Sequence, residues 1–216
     1  MQHIRIWDNF TRIYHISQLI MLALLWYSAE QAEFELHFSV GFCLIALWIT
    51  RIMWGFIGSD TSRFKHFIKS PIMVLKAWKS NAIAKQHIGH NPIGGYMVMA
   101  LLVSLGLQLF SGLFSSDDVF SEGPLYASAS DSFNETMHAI HQSNFDLLLI
   151  LISLHALAGI LHLFRGDNVI WAIISGKKRL AIQPERLTFK KMLLPLMVWL
   201  LLSYGIYSWG MALASY

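Results

Sequence analysis

Two histidines on one apolar stretch, His141 and His155, stand fourteen residues apart. On an α-helix that interval returns to within about 40° of the same face, roughly 21 Å further along the axis. Ionisable groups inside a hydrocarbon slab are costly enough to point to function, and neutral imidazole is a good axial ligand for haem iron. Two such rings on one face, near opposite ends of one membrane helix, predict two stacked haem sites. His37, at the start of another apolar stretch, is the expected partner of His141. His15, near the opposite end of the first stretch, is the expected partner of His155. Two imidazoles per iron leave no open position for oxygen chemistry, so electron transfer is expected rather than oxygenation. By depth alone, His138 competes with His141 and His162 with His155.

The elements that must position these rings follow from composition. The 216 residues are 55% hydrophobic and 13% charged, with a mean hydropathy of +0.49. That balance is expected of an integral membrane protein whose surplus apolar surface faces lipid. Five stretches are long enough to cross about 30 Å of hydrocarbon: about 11–29, 36–57, 92–114, 141–164 and 192–214. The expected fold is an all-α integral membrane protein, a transmembrane helical bundle of four haem-binding core helices plus a fifth, C-terminal helix. With no repeat and no linker, 1–216 reads as a single membrane domain. Trp7, Trp26 and Tyr27 are placed as interfacial anchors of the first span. No cleavable leader is apparent, so the first span is expected to remain as a helix. Pro92 suits the first turn of the third span. The stretch 64–84, with its lysines and a Ser70-Pro71 start signal, predicts an amphipathic helix lying on anionic lipid, and 168–176 repeats the pattern on a smaller scale.

Cys43 is the only cysteine, which excludes an intrachain disulfide, a zinc cluster and a Cys-x-x-Cys-His attachment; any haem is non-covalent. No Gly-rich nucleotide fingerprint, Walker motif or nucleophile elbow is present. No nucleic-acid partner is expected.

Charge gives the orientation. Arg5, Arg12, Arg51, Arg63, Lys65, Lys69, Lys76, Lys79 and Lys85 fall on one side of the spans. Arg165, Lys177, Lys178, Arg179, Arg186, Lys190 and Lys191 fall on the same side. The opposite loops hold Glu30, Glu33, Glu35, Asp117, Asp118, Glu122, Asp131 and Glu135. By the positive-inside rule the N-terminus is cytoplasmic and Tyr216 faces outward. Arg12 or Arg51 is expected to bind a propionate of the inner haem, while the cation-free outer side must use hydroxyls, amides or water. Gly94 and Gly95 remove side chains where a flat quinone ring could approach. Asn91 and His90 offer hydrogen bonds there, and His90 a proton. His138, Asp146 and the outer acids form a second candidate proton route.

These residues resemble the bacterial cytochrome b561 family, which includes the cytochrome b subunits of nickel–iron hydrogenases. The resemblance covers about 6–178. It is carried by Trp7-Asp8 with Arg12 and His15, by His37 with Gly41, and by Arg51, Trp54-Gly55 and Arg63-Phe64. It continues through Gly89-His90-Asn91-Pro92-Ile93-Gly94-Gly95, Gly123-Pro124-Leu125 and the His141/His155 pair. Asn168-Val169-Ile170 and Ser175-Gly176-Lys177-Lys178 close it. Gln142, where an acidic residue often stands, and the fifth span depart from the family pattern. The resemblance implies two non-covalent haems b on His15, His37, His141 and His155, in a multi-pass protein of the bacterial inner membrane. The function expected is electron transfer between the quinone pool and a redox partner protein: a hydrogenase, a dehydrogenase or a c-type cytochrome. A self-contained oxidoreductase passing electrons from superoxide to ubiquinone is the second reading, disfavoured by the lack of outer cations. A haem-free transporter or membrane anchor is the third.

Overall fold

A computed structural model describes residues 2–79, 87–117, 119, 121–180 and 187–214. Lys85, Asp118, Arg186 and Tyr216, and the stretch 80–84 of the expected surface helix, lie outside them. Five long helices carry the architecture: α1 (Asn9–Glu30), α2 (Phe34–Ile57), then α5 (Pro92–Gly112), α6 (Asp131–Phe164) and α8 (Leu193–Leu213). Between α2 and α5 lie α3 (Phe64–Phe67) and α4 (Pro71–Lys79), and between α6 and α8 lies α7 (Val169–Ser175). Four helices, α2, α5, α6 and α8, are long and apolar enough to cross a membrane. The first, α1, has 22 residues and hence the length, but Thr11, Arg12, His15, Ser17 and Gln18 interrupt its apolar character.

Two elements differ from expectation. The fourth span begins ten residues early, because Ser130 caps a polar prefix: its hydroxyl accepts from Phe133 N at 3.4 Å and Asn134 Nδ2 donates to Tyr126 O at 2.9 Å. A helix of 34 residues is about 51 Å long, more than hydrocarbon alone requires. The expected 64–84 helix is broken in two, with Ile68 extended between α3 and α4; Ser70 Oγ accepts from Met73 N at the restart.

The chain divides into two compact units. Unit 1 comprises Met1–His15, Arg51–Leu101 and Leu151–Pro195. Its strands β1 (Gln2–Arg5) and β2 (Lys177–Leu180) pair antiparallel, His3 opposite Arg179 and Arg5 opposite Lys177. Alternation then places Ile4 and Leu180 inward, in a cluster with Ile6, Trp7, Ala172 and Ile173. Trp7 is thus buried in this core rather than serving as an exposed anchor, whereas Trp26 and Tyr27 are exposed. Asp8, fully buried, caps α1: it accepts from Thr11 N at 2.8 Å, Ser62 Oγ at 2.6 Å and Trp54 Nε1 at 3.3 Å. A carboxylate with this many donors meets the cost of its burial.

Unit 2 comprises Ile16–Thr50, Leu102–Ile150 and Leu196–Tyr216. Phe42, Leu44, Ala46, Leu47 and Leu105 form its interior. Trp48 donates to Leu102 O at 2.9 Å, and Gly106 leaves the space its ring fills, where a Cβ would lie 2.6 Å from it. The helices α1 and α2 are joined by a tight reversal in which Glu33 N donates to Ser28 O and Ala32 N to Ala29 O. These are the two bonds of a Schellman ending, whose left-handed position glycine normally fills; here Ala32 holds it at φ 54°.

Candidate haem-binding sites

Each unit brings one histidine pair together. In unit 2, His37 Nδ1 is bonded to Leu25 O and Ser28 Oγ, each at 3.1 Å. The Schellman reversal turns α2 back toward Ser28, so the local chain ending positions the ring. His141 Nδ1 is bonded to Gln108 O at 3.0 Å and Ser111 Oγ at 3.2 Å, and Gln108 Nε2 returns a bond to His141 O at 2.9 Å. A carbonyl can only accept, so each Nδ1 carries the proton and each Nε2 keeps its lone pair for a metal. Asn144, one turn along α6, locks the register: it donates to Ser104 O at 3.0 Å and Gln108 Oε1 at 2.7 Å. Gly112 leaves room for the imidazole, since a Cβ there would lie 2.9 Å from His141 Cε1.

In unit 1, the ring centres of His15 and His155 are 6.3 Å apart at 46°. An iron bound at about 2 Å by two imidazoles, each ring centre about 1 Å further back, would set the centres about 6 Å apart. The observed gap matches that spacing. His162, the competitor by depth, has both nitrogens engaged: Nδ1 faces Asp167 at 3.3 Å and Nε2 faces Asn91 Nδ2 at 3.3 Å. A second Schellman ending, with Gly166 at φ 79° and Asp167 N bonded to His162 O, folds Asp167 back onto that ring. Lys178 Nζ pairs with Asp167 at 2.8 Å. His138, the competitor in unit 2, has its Nε2 against Gln142 at 2.6 Å and its Nδ1 buried without a partner.

The two arginines separate. Arg12 donates through Nε and Nη2 to Ile174 O, tying α1 to α7. Arg51 is 3% exposed and makes one long bond, Nη1 to Ser62 O at 3.4 Å, with its guanidinium over the rings of Tyr14 and Phe64 at 5.7 and 5.4 Å. Among the described residues one acceptor meets its five N–H donors, and with Asp8 as a nearby counter-charge the guanidinium keeps donors free for a further anion. His90 sits beside it, its ring centre 4.9 Å from Trp7 and 5.0 Å from Phe67, with Nδ1 buried and unbonded. Burial first, then the Arg51 charge, pushes the His90 imidazolium down to about 3. The ring is therefore neutral near pH 7 in the protein alone.

The glycine pair is not an open platform. Asn91 is the N-cap of α5, its Oδ1 accepting from Gly94 N at 2.6 Å, with Pro92 at the first helical position. A Cβ on Gly94 would meet Asn91 Oδ1 at 3.1 Å, and one on Gly95 would meet Phe67 O at 2.6 Å. The space expected for a quinone ring is filled by a cap and by backbone. Beside it, Pro71, Val74, Leu75, Ile93 and Tyr96 line an apolar cleft of about 260 Å³.

A family model described as prokaryotic cytochrome b561 matches residues 6–176. The chain belongs to that family. Membership makes it a multi-pass helical membrane protein of a family that binds haem b. The match takes in all four histidines and stops before α8. A protein of Bradyrhizobium diazoefficiens, described as "Probable Ni/Fe-hydrogenase B-type cytochrome subunit", is 24% identical over 164 residues, 66% of this chain and 65% of its own. The chain thus spans just under two thirds of that relative's length. No solved structure matches.

Gln108, Ser111, Ser28 and Asn144 were not expected from the sequence. Three of the polar residues of α5, Ser104, Gln108 and Ser111, are spaced four and three apart in an otherwise apolar helix. That one-faced pattern was the available signal.

Proposed function

We propose that this b561-family cytochrome binds two haems b, one between His15 and His155 and one between His37 and His141, and carries electrons across the bacterial inner membrane. The carrying observation is the His15–His155 separation of 6.3 Å. Bound haem supplies one-electron redox chemistry; the chain's own residues hold, orient and insulate it. Leu25 O, Ser28, Gln108 and Ser111 fix the tautomer of one pair. Arg51, with His90 Nδ1 as a second polar group, receives a propionate of the other haem.

The N-terminus is cytoplasmic, and the chain forms one membrane domain. Quinone exchanges electrons on the cytoplasmic side, its headgroup in the cleft beside Ile93 and Tyr96, with the amide of Asn91 nearby. Gly94 and Gly95 shape that site through packing. The partner at the other end is a redox protein, and the name of the Bradyrhizobium relative favours a hydrogenase. The absence of any Lys or Arg from unit 2 disfavours superoxide as the outer substrate.

Pyridine haemochrome analysis of purified protein tests the reading: two low-spin haems b per chain are expected, and one per chain overturns it. Quinol-driven haem reduction should slow in Asn91→Ala and in Ile93→Trp at unchanged haem content. Wild-type rates in both would move the quinone site elsewhere.

A further inference from the structure

The start of α8 carries a second, unassigned site. Arg5, Asn9, Phe189, Lys190, Lys191 and Leu193 line a cleft of about 340 Å³ in unit 1. No carboxylate lines it, and Arg5, Lys190 and Lys191 enter no ion pair among the described residues. Arg5 is already held: its guanidinium lies 4.7 Å over the Phe189 ring, and Nη2 donates to Asn9 Oδ1 at 3.3 Å. The cleft is fixed from the other side by Lys190 N, which donates to Ser59 Oγ at 3.0 Å, and by Thr188 N, which donates to Asp60 Oδ2 at 2.7 Å.

The ribbon extends the same charge. Alternation puts Arg5, Lys177 and Arg179 on its exposed face, so Arg5 belongs to both the ribbon face and the cleft. At the cleft's apolar end a 21-residue membrane helix begins, where the N–H groups of Leu193 and Leu194 have no helical acceptor and Pro195 has none to offer. Cations and free amides at the point where hydrocarbon starts match one ligand chemistry: a phosphodiester with acyl chains attached.

We propose that this cleft binds the phosphodiester headgroup of an anionic phospholipid, with Arg5, Lys190 and Lys191 on the phosphate and Met192 and Leu193 beside the acyl chains. An acidic protein segment would match the charge but not the apolar end. The proposal is independent of the haem assignment.

The test uses the haem-loaded protein in nanodiscs of phosphatidylcholine with or without phosphatidylglycerol, read by native mass spectrometry for retained lipid. Wild type should retain phosphatidylglycerol through delipidation. The triple variant R5Q/K190Q/K191Q should hold it roughly a hundredfold more weakly, each cation near the surface contributing about a factor of five. A variant of equal charge loss in the stretch expected to lie on anionic lipid, K65Q/K69Q/K76Q, should weaken retention far less, since those lysines contribute diffuse attraction and line no cleft. Equal loss in both variants would show diffuse attraction and overturn the site, as would equal retention in both. Inorganic phosphate is the third arm. If phosphate alone raises the wild-type Tm and displaces the lipid, the site is for free phosphate and the lipid assignment falls; if phosphate does neither, the lipid is the ligand.

Discussion

Unit 1 contains all sixteen Lys and Arg residues of the chain and four of its thirteen carboxylates; unit 2 contains no cation and nine carboxylates. Each nevertheless positions a pair of histidines. In unit 2 the rings are oriented by neutral groups, Leu25 O, Ser28, Gln108 and Ser111. In unit 1 no hydrogen bond joins a ring nitrogen of His15 or His155 among the described residues, and the charged group nearest to their neighbour His90 is the buried Arg51 guanidinium. One pair is held by fixing the ligand before the metal arrives. In the proposed reading the other would be organised by the cofactor's own charge, with Arg51 as the counter-ion. The contrast predicts that the unit 1 haem is the more sensitive to charge changes and the unit 2 haem the more sensitive to geometry.

The sharpest test removes ligands one at a time. His155→Ala and His37→Ala should each cut haem from two per chain to one, by pyridine haemochrome, with different spectra for the haem that remains. His162→Ala should leave two; if it empties a site while His155→Ala does not, the unit 1 ligand is misassigned. Charge comes next. Arg51→Gln should lower the midpoint potential of the unit 1 haem by tens of millivolts, because a nearby cation favours the reduced state. In a redox titration the other haem should stay put, and a common shift of both would erase the asymmetry.

Glycine substitutions probe geometry. Gly95→Ala drives a Cβ toward Phe67 O and should cost about 1–3 kcal/mol in stability, seen as a lower Tm with haem spectra unchanged. Gly112→Ala drives one toward the His141 ring and should alter the low-spin spectrum of the unit 2 haem with less loss of Tm. Reversed outcomes would mean that the two glycines had been given each other's roles. The smallest effect is expected at Ala32, where Gly fits the left-handed backbone better; Ala32→Gly should raise stability by up to about 1 kcal/mol. A drop in Tm would show that the reversal before His37 gains more from Ala32's side chain than it loses in strain.

Much of this was legible in the sequence because membrane helices and intramembrane histidines leave strong periodic signals. The fourteen-residue interval and the one-sided cations needed no partner to be read. What was not legible depended on chain reversals. His162 looked like a possible ligand until the Gly166 turn folded Asp167 onto it. Asn91 and the Gly pair looked like a ring platform, because a cap and a close backbone approach use the same residues as an open site. The ribbon was invisible for another reason: two four-residue strands carrying Arg, His and Lys have too little alternation to stand out, and Trp7 was misplaced at an interface as a result. The length of α6 was missed because six of its first ten residues are polar and follow a helix-capping serine rather than a hydrophobic trend.

The ribbon also orders events in time. Strand β1 is made first, at Gln2–Arg5, and its partner β2 only at Lys177–Leu180. At ribosomal rates of about 5–20 residues per second, the first strand waits on the order of ten seconds for its mate. Lys178, which seals Asp167 onto His162, arrives with that mate. Every residue of the unit 2 pair and its bracing groups, from Leu25 to Asn144, has been synthesised by then. The paired residues of unit 2 can therefore meet before the ribbon and the Lys178–Asp167 contact of unit 1 can close.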